Sequence, residues 1–355
     1  MRRRTSSPKP RGRLAPPDQR GATAIVIGLL AVPLFAVGAL VIDVGALYQE
    51  RRELQNGADA AALALAQRCA GGACGSLLAT ADQFGDANAN DGAAHVDEVC
   101  GDGPGLRACA TGPAAPAGAA GWVRVTTSTD DAASGTNEIT YGLARALTDT
   151  TGQTLQAQTT AAWGVPGGER SVPPVIVSTC EVDAATDPDG DGVRSFAPGP
   201  PFAGTPTTLI FHGSKPGSCP AGPSGGDLPG GFGWLDSVNC RATVSPDDWV
   251  TVDPGNNGLP NGCNASVWRN QTILLPVYDQ KVGSGNNGSY HVAGYAAFHV
   301  VGYKVGNQTW PSGTRCAGQP GNSGRCLIGH FTSQVVPTDA FDGDDFGVVG
   351  VKLTG

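Results

Sequence analysis

Ala22–Ile42, ATAIVIGLLAVPLFAVGALVI, runs for 21 residues without a charge, and a bilayer core takes about 20 residues of helix. The stretch therefore reads as a membrane span. A secretory signal peptide also places an Arg-rich leader before an apolar stretch, but this run is too long for one and no A-x-A site closes it. Beyond Asp43 the chain continues as VGALYQERRELQNGADAAALALAQ, in which Leu47, Leu54, Ala58, Ala61, Ala62 and Leu65 recur at threes, fours and sevens. That spacing predicts a helix with one apolar stripe. Gly57 costs about 1 kcal/mol relative to Ala in a helix interior, so close packing or a bend is expected there. The stripe reads first as the core face of an outer domain and second as a filament-packing surface.

Charge sets the orientation. Met1–Arg20 carries seven Lys and Arg against one acid, while the remainder holds 16 bases and 30 acids of the 23 and 31 in the chain. The basic tail before the span places the N-terminus in the cytoplasm and everything from about Tyr48 outside. A bulk this acidic excludes nucleic acid as a partner. Pro33 implies a kink tolerated in a membrane helix, and Gly28 and Gly38 allow another helix to approach. Asp43, at the end of the run, reads as a carboxylate at the outer interface rather than inside the bilayer.

Taken together, Arg20-Gly21-Ala22, the apolar run, Val41-Ile42-Asp43-Val44-Gly45, Leu47-Tyr48, Arg51-Arg52 and Leu54-Gln55-Asn56-Gly57-Ala58-Asp59-Ala60-Ala61-Ala62-Leu63-Ala64 resemble the TadE/TadG-like N-terminal segment of Tad (Flp) pilus-assembly proteins. The resemblance covers residues 20–67. It implies a bitopic inner-membrane protein, related to pilins through its hydrophobic helix, that helps assemble an adhesive Flp-type pilus and has no enzymatic activity. Where pilin-like members are processed, cleavage follows the glycine before the apolar run and depends on a Glu at the fifth mature residue. Counting from Ala22, that place is Val26, which favours a retained anchor. The DxSxS motif of the von Willebrand A domain that larger members carry is absent from the sequence.

The outer part is loop-rich: Gly 53 and Pro 27 make up about 23% of 355 residues, just under the level of an aperiodic disordered chain. Ten cysteines without a CxxC pair argue against zinc ribbons and for loop-closing disulfides in an oxidising compartment. Cys100 and Cys109 read as a stapled loop. Helix is expected at Ser76–Asn88 and Glu138–Leu147, and strand at Trp122–Thr129 and Thr154–Gly164, a small α+β unit ending near Val165–Ser171. From Val172 the apolar runs are short and β-like: Val175–Cys180, Thr207–Phe211, Trp249–Val252, Thr272–Val277, Tyr290–Val305, Arg325–His330 and Val348–Leu353. Turn clusters at 229–231, 256–258 and 285–288 separate some of them. The fold class is thus α+β: basic tail 1–20, transmembrane helix 21–47, a pilin-like α+β unit over 48–170, and a β-rich, sandwich-like domain over 171–355. The blocks Phe232-Gly233-Trp234-Leu235-Asp236 and Tyr295-Ala296-Ala297-Phe298 also resemble recurring features of TadG-related C-terminal halves; physically they read as aromatic core anchors.

Asp187-Pro188-Asp189-Gly190-Asp191-Gly192 matches the opening of a calcium loop, in which three carboxylates converge and the sixth-position glycine turns sharply. The twelfth position is Pro198 instead of a bidentate Glu, so Asp183 or a carbonyl would have to complete a looser site. Asp339, Asp342, Asp344 and Asp345 lack that spacing and read as a solvated loop. No HxxxH or HExxH occurs among His95, His212, His291, His299 and His330. His291 and His299 share a strand face but lie about 26 Å apart along it, too far for one metal. Gly321-Asn322-Ser323-Gly324 lacks the Asp and the His segment of a serine protease and reads as a turn. The expected function is a non-enzymatic, membrane-anchored component of Tad/Flp pilus assembly in the bacterial inner membrane. It would contact other Tad pilus proteins through the span and the Leu54–Leu65 stripe. The alternative is a membrane-anchored adhesion module stabilised by calcium.

Overall fold

The computed structural model describes residues 20–111, 115–130, 135–143, 145, 151–212, 219, 233–253, 259–260, 262–283, 288–316 and 325–354. The basic tail over 1–19, Phe232, the turn clusters at 229–231 and 256–258, most of 285–288, and the 321–324 turn lie outside the described residues. Helix α1 (Arg20–Ala70) leads into α2 (Leu77–Asn88), β1 (Ala94–Asp102), β2 (Ala119–Thr129), the short pair β3 (Ile139–Thr140) and β4 (Gly152–Gln153), and β5 (Gln156–Gly164). There follow β6 (Pro166–Gly167), β7 (Arg170–Val172), β8 (Val177–Ser178), α3 (Thr179–Thr186), β9 (Thr207–His212), β10 (Ala242–Val244) and β11 (Trp249–Thr251). The chain ends with β12 (Thr272–Val282), β13 (Ser289–Val305), β14 (Gln308–Trp310), β15 (Arg325–Thr332), β16 (Gln334–Pro337), β17 (Ala340–Phe341) and β18 (Val348–Leu353).

At 51 residues, α1 is about 76 Å long at 1.5 Å per residue. It continues through Pro33 and ends at Gly71-Gly72, where Gly72 takes φ +86° and the Cys69–Cys74 disulfide turns the chain back. Its C-terminal half packs on one face of a five-stranded sheet ordered β1-β2-β5-β18-β16. Residues of the LQNGAD segment hold that packing together. Leu54 is buried beside Ala94 and Ala157. The Gln55 amide donates to Asp59 at 2.8 Å and to Thr159 of β5 at 2.6 Å, and the Thr159 hydroxyl donates to the Asp59 carboxylate. Ala61, Ala62, Leu65 and Ala66 meet Val123, Val125, Ala161, Trp163 and Val351 in one core. At Gly57 an added Cβ would lie 3.2 Å from the Cα of Gly85 in α2, so the two helices touch backbone to backbone and the expected close packing is found.

A second sheet, ordered β8-β12-β13-β15-β9 with β11 and β14 also paired to β13, is buried on both faces. Alternation along β13 divides its side chains: Ala296, Phe298 and Val300 enter one core with Trp234 and Trp268, while Tyr295 and Ala297 enter the other with Leu235 and Tyr290. The described residues Trp234, Leu235, Tyr295, Ala296, Ala297 and Phe298 of the aromatic blocks are thus core anchors. Val336 and Val348, on strands of the first sheet, belong to this second core, which joins the two layers. Five disulfides, Cys69–Cys74, Cys100–Cys109, Cys180–Cys219, Cys240–Cys263 and Cys316–Cys326, use all ten cysteines. The chain-entropy model gives each about 2–4 kcal/mol over loops of these lengths.

Several expectations change. Where a helix is expected at Glu138–Leu147, its first part is instead β3, whose Ile139 and Thr140 pair with Gln153 and Gly152. A ten-residue segment with Gly142 inside it recovers little of the cost of nucleating a helix. Residues 94–102, expected to be part of a loop, form β1, paired antiparallel with β2 along its length with one register shift between Val96 and Glu98. The Val175–Cys180 run ends in α3, started by a capping box between Ser178 and Glu181. The boundary expected at 165–171 is crossed by β18, which pairs antiparallel with β5, Val351 opposite Trp163. The C-terminus thereby completes the sheet that supports α1.

These contacts assign different costs to two glycines of one helix. Gly57→Leu drives a side chain into the Gly85 backbone and is expected to destabilise by about 1–3 kcal/mol, whereas Gly45→Leu, with nothing within 4 Å of its Cβ position, is expected to leave stability unchanged within about 0.5 kcal/mol. Thermal melts of the detergent-solubilised full chain measure both. Equal midpoints for the two variants would refute the helix contact.

Candidate functional site

Most of the N-terminal half of α1 stands clear of the fold, with Ala39 buried next to the end of the run. Ile25, Leu29, Val32, Leu34, Phe35 and Ile42 are 60–79% exposed, whereas an apolar side chain in a folded protein normally gains about 1.5–3 kcal/mol by leaving water. Among the described residues, α1 is the helix long and apolar enough to cross a membrane. From Ile25 to Ile42 it covers about 27 Å, close to the roughly 30 Å of a hydrocarbon core.

Asp43 marks where this surface ends. It is 5% exposed. Its Oδ1 accepts the N–H of Gly142 at 2.9 Å, and the N–H of Leu143 reaches its carboxylate at 3.1–3.2 Å. Glycine permits the approach, since a Cβ at 142 would lie 3.2 Å from Asp43 Oδ1. One turn further on, Arg52 lies over the Tyr48 ring at 4.3 Å and donates to its hydroxyl at 2.8 Å; Tyr and Arg suit a membrane–water boundary. Asp43→Ala removes this acceptor from the N–H groups of two exposed residues, at a cost of about 0.5–1.5 kcal/mol, and Asp43→Asn, keeping one acceptor oxygen, is expected to lose less. Faster hydrogen exchange at the Gly142 and Leu143 amides in Asp43→Ala is the expected readout; unchanged exchange at both would contradict the tie.

The Leu54–Leu65 stripe is not available as a partner surface. Leu54 is 2% exposed and Ala58, Ala61, Ala62 and Leu65 are 0% exposed, because the sheet completed by β18 covers them. Sequence spacing reveals an apolar face but not whether the chain's own strands return to it. The extended apolar surface that remains for another molecule on α1 lies mostly before Asp43.

Asp187, Asp189 and Asp191 converge as the calcium-loop pattern expects, with ligand oxygens all within 4.8 Å of one another. The Asp187 carboxylate accepts the N–H of Asp191 at 3.1 Å and of Gly192 at 3.0 Å. Gly190 and Gly192 supply the turn with φ of +71° and +83°. Desolvation raises the Asp187 pKa, but hydrogen bonds from Gly192, Asp189, Asp191 and Gly190 together hold it below the ordinary carboxylate value. Asp183, the suggested extra ligand, is paired instead with Arg194 at 2.6 Å. In the second acidic cluster, Asp342 and Asp345 accept N–H groups of Gly343 and Gly347 at 2.8 Å, which makes them turn-forming residues.

The histidines fall into separate settings. His291 bonds Asp279 at 2.7 Å beside the Trp249 ring. His299 lies directly opposite His330 across β13 and β15, with Phe202 against both rings at 4.9 and 4.7 Å. That pairing depends on a register between distant strands, which no local spacing records.

No curated protein and no solved structure matches the chain. The family model for Flp pilus-assembly TadE/G-like proteins matches residues 21–68, which hold the exposed apolar half of α1 and most of its packed half. Through that helix the chain carries a TadE/G-like Flp pilus-assembly segment.

Proposed function

We propose that this protein is a non-enzymatic, single-span component of Flp pilus assembly, a TadG-like scaffold or minor pilin. It is held in the bacterial inner membrane with its N-terminus in the cytoplasm and residues from about 48 outside. The observation that carries the reading is the apolar helix surface from Ile25 to Ile42, whose large side chains are all exposed and which ends at Asp43, within the segment that the pilus-assembly model matches. Seven bases in the first 20 residues support the orientation, and five disulfides support an oxidising compartment for the bulk. Val26 in place of a carboxylate supports a retained anchor. The partners are other Tad pilus proteins, engaged through the span; the Leu54–Leu65 face supports the chain's own fold.

A second reading, an anchored adhesion module stabilised by calcium, is favoured by the convergence of Asp187, Asp189 and Asp191 and by their all-oxygen chemistry, which suits a hard cation. One experiment separates the two. A photo-crosslinking residue is placed at Leu34, exposed, or at Leu65, buried, in native membranes of cells that make the pilus, with and without a calcium chelator. The first reading predicts crosslinks to pilus proteins from Leu34 but not from Leu65, unaffected by chelation. Crosslinks to lipid alone, together with chelator-sensitive surface binding, would replace it with the second.

A further inference from the structure

We infer that His299 and His330 form an open two-histidine site for a borderline divalent transition-metal ion, with copper(II) its tightest occupant. The two residues are direct partners in the antiparallel pairing of β13 with β15. Cross-strand partners stand on the same sheet face with Cβ atoms about 4.5–5.5 Å apart, near enough for one ion to bind both imidazoles at about 2 Å each. The Thr272 hydroxyl lies 3.1 Å from His299 Nδ1. A bond from a ring N–H to such an oxygen fixes the tautomer that leaves Nε2 for a metal.

Phe202 shapes the site without closing it. Its ring is stacked on His330 at an interplanar angle of 6° and tilted against His299 at 41°. It therefore covers ring faces, while the nitrogen lone pairs lie in the ring planes and point past it. The segment that carries Phe202 is fixed to the end of β15: the Ser333 N–H bonds the Ala197 carbonyl at 2.9 Å, and the Thr332 hydroxyl bonds the same carbonyl at 2.5 Å. All three rings are half-buried, so a hydrated ion can reach the nitrogens. Burial lowers the proton affinity of both histidines, and that of His330 is lowered further by His299.

The donor set selects the ion. Imidazole favours copper, nickel and zinc over calcium and magnesium, with copper(II) highest in the divalent series. All ten cysteines are in disulfides, so no thiolate competes. The Asp187 cluster offers carboxylate oxygens alone. Two protein ligands leave the remaining coordination positions to water or to a group from another molecule.

The test is a copper(II) titration of the detergent-solubilised full chain at pH 7, read by electron paramagnetic resonance. The expected result is a first equivalent coordinated by two imidazole nitrogens. His299→Gln and His330→Gln should each remove one nitrogen and weaken binding more than about tenfold, and Thr272→Val should weaken it about tenfold. His291→Gln should leave it unchanged. The proposal is overturned if the first equivalent in the wild-type chain carries fewer than two nitrogens, a readout that needs no variant to fold. It is also overturned if both glutamine variants, with metal-free melting curves like the wild type, bind copper with unchanged affinity.

Discussion

The structure depends on one contact: the small-residue face of α1 from Leu54 to Leu65 lying flat against a sheet. Four of its five apolar positions, Ala58, Ala61, Ala62 and Leu65, are fully buried, and three of these are alanines, so the helix axis can come close to the strands. The contact is short-ranged and needs shape agreement, because closely packed interiors tolerate neither added nor removed volume well. Gly57 against Gly85 extends the same closeness to α2. The Gln55–Asp59–Thr159 bonds place polar atoms at its edge, where they fix the position of the helix along the sheet. Once the C-terminal half of α1 is held in this way, its N-terminal half has nowhere to project but out of the fold.

That geometry divides one helix between two solvents. Before Asp43 the large apolar side chains are exposed, Ala39 alone among the described residues of the run being buried; after Leu54 the apolar stripe is buried by the chain itself. Asp43 stands where the two regimes meet, and its carboxylate receives backbone N–H groups from the 142–143 loop, so the folded part begins at the level where the apolar surface stops. The last strand, β18, closes the arrangement by pairing with β5. The far C-terminus thus helps hold the helix that begins the chain, and the β-rich sheet is joined to it through the core containing Val336 and Val348.

The features readable in the sequence were those recorded by local spacing. The charge-free run from Ala22 to Ile42, the stripe beyond it, and the alternating runs at β2, β5, β13 and β18 all appear in the structure within a few residues. The convergence of Asp187, Asp189 and Asp191 was also legible, because a hexapeptide turn encodes it. Local signals are also present at α3, whose Ser178–Glu181 capping box is a four-residue pattern, and at β1, where Ala94, Val96 and Val99 form a buried face interrupted by a register shift. Other features are long-range and have no local signature. The occupation of the Leu54–Leu65 stripe requires strands spread along the chain from β1 to β18, and the His299–His330 pair requires the β13–β15 register.

The central claim is that α1 is one uninterrupted helix, lipid-exposed before Asp43 and packed in the chain's own core after Leu54. Hydrogen exchange of the full chain in lipid nanodiscs, resolved along residues 24–66, tests it most directly. The account predicts protection throughout, with no fast-exchanging break between Asp43 and Glu53, and protection of 54–66 that persists when lipid is replaced by detergent. Fast exchange across 43–53, or loss of protection at 54–66 on removal of lipid, would show instead a span and a domain joined by a flexible segment.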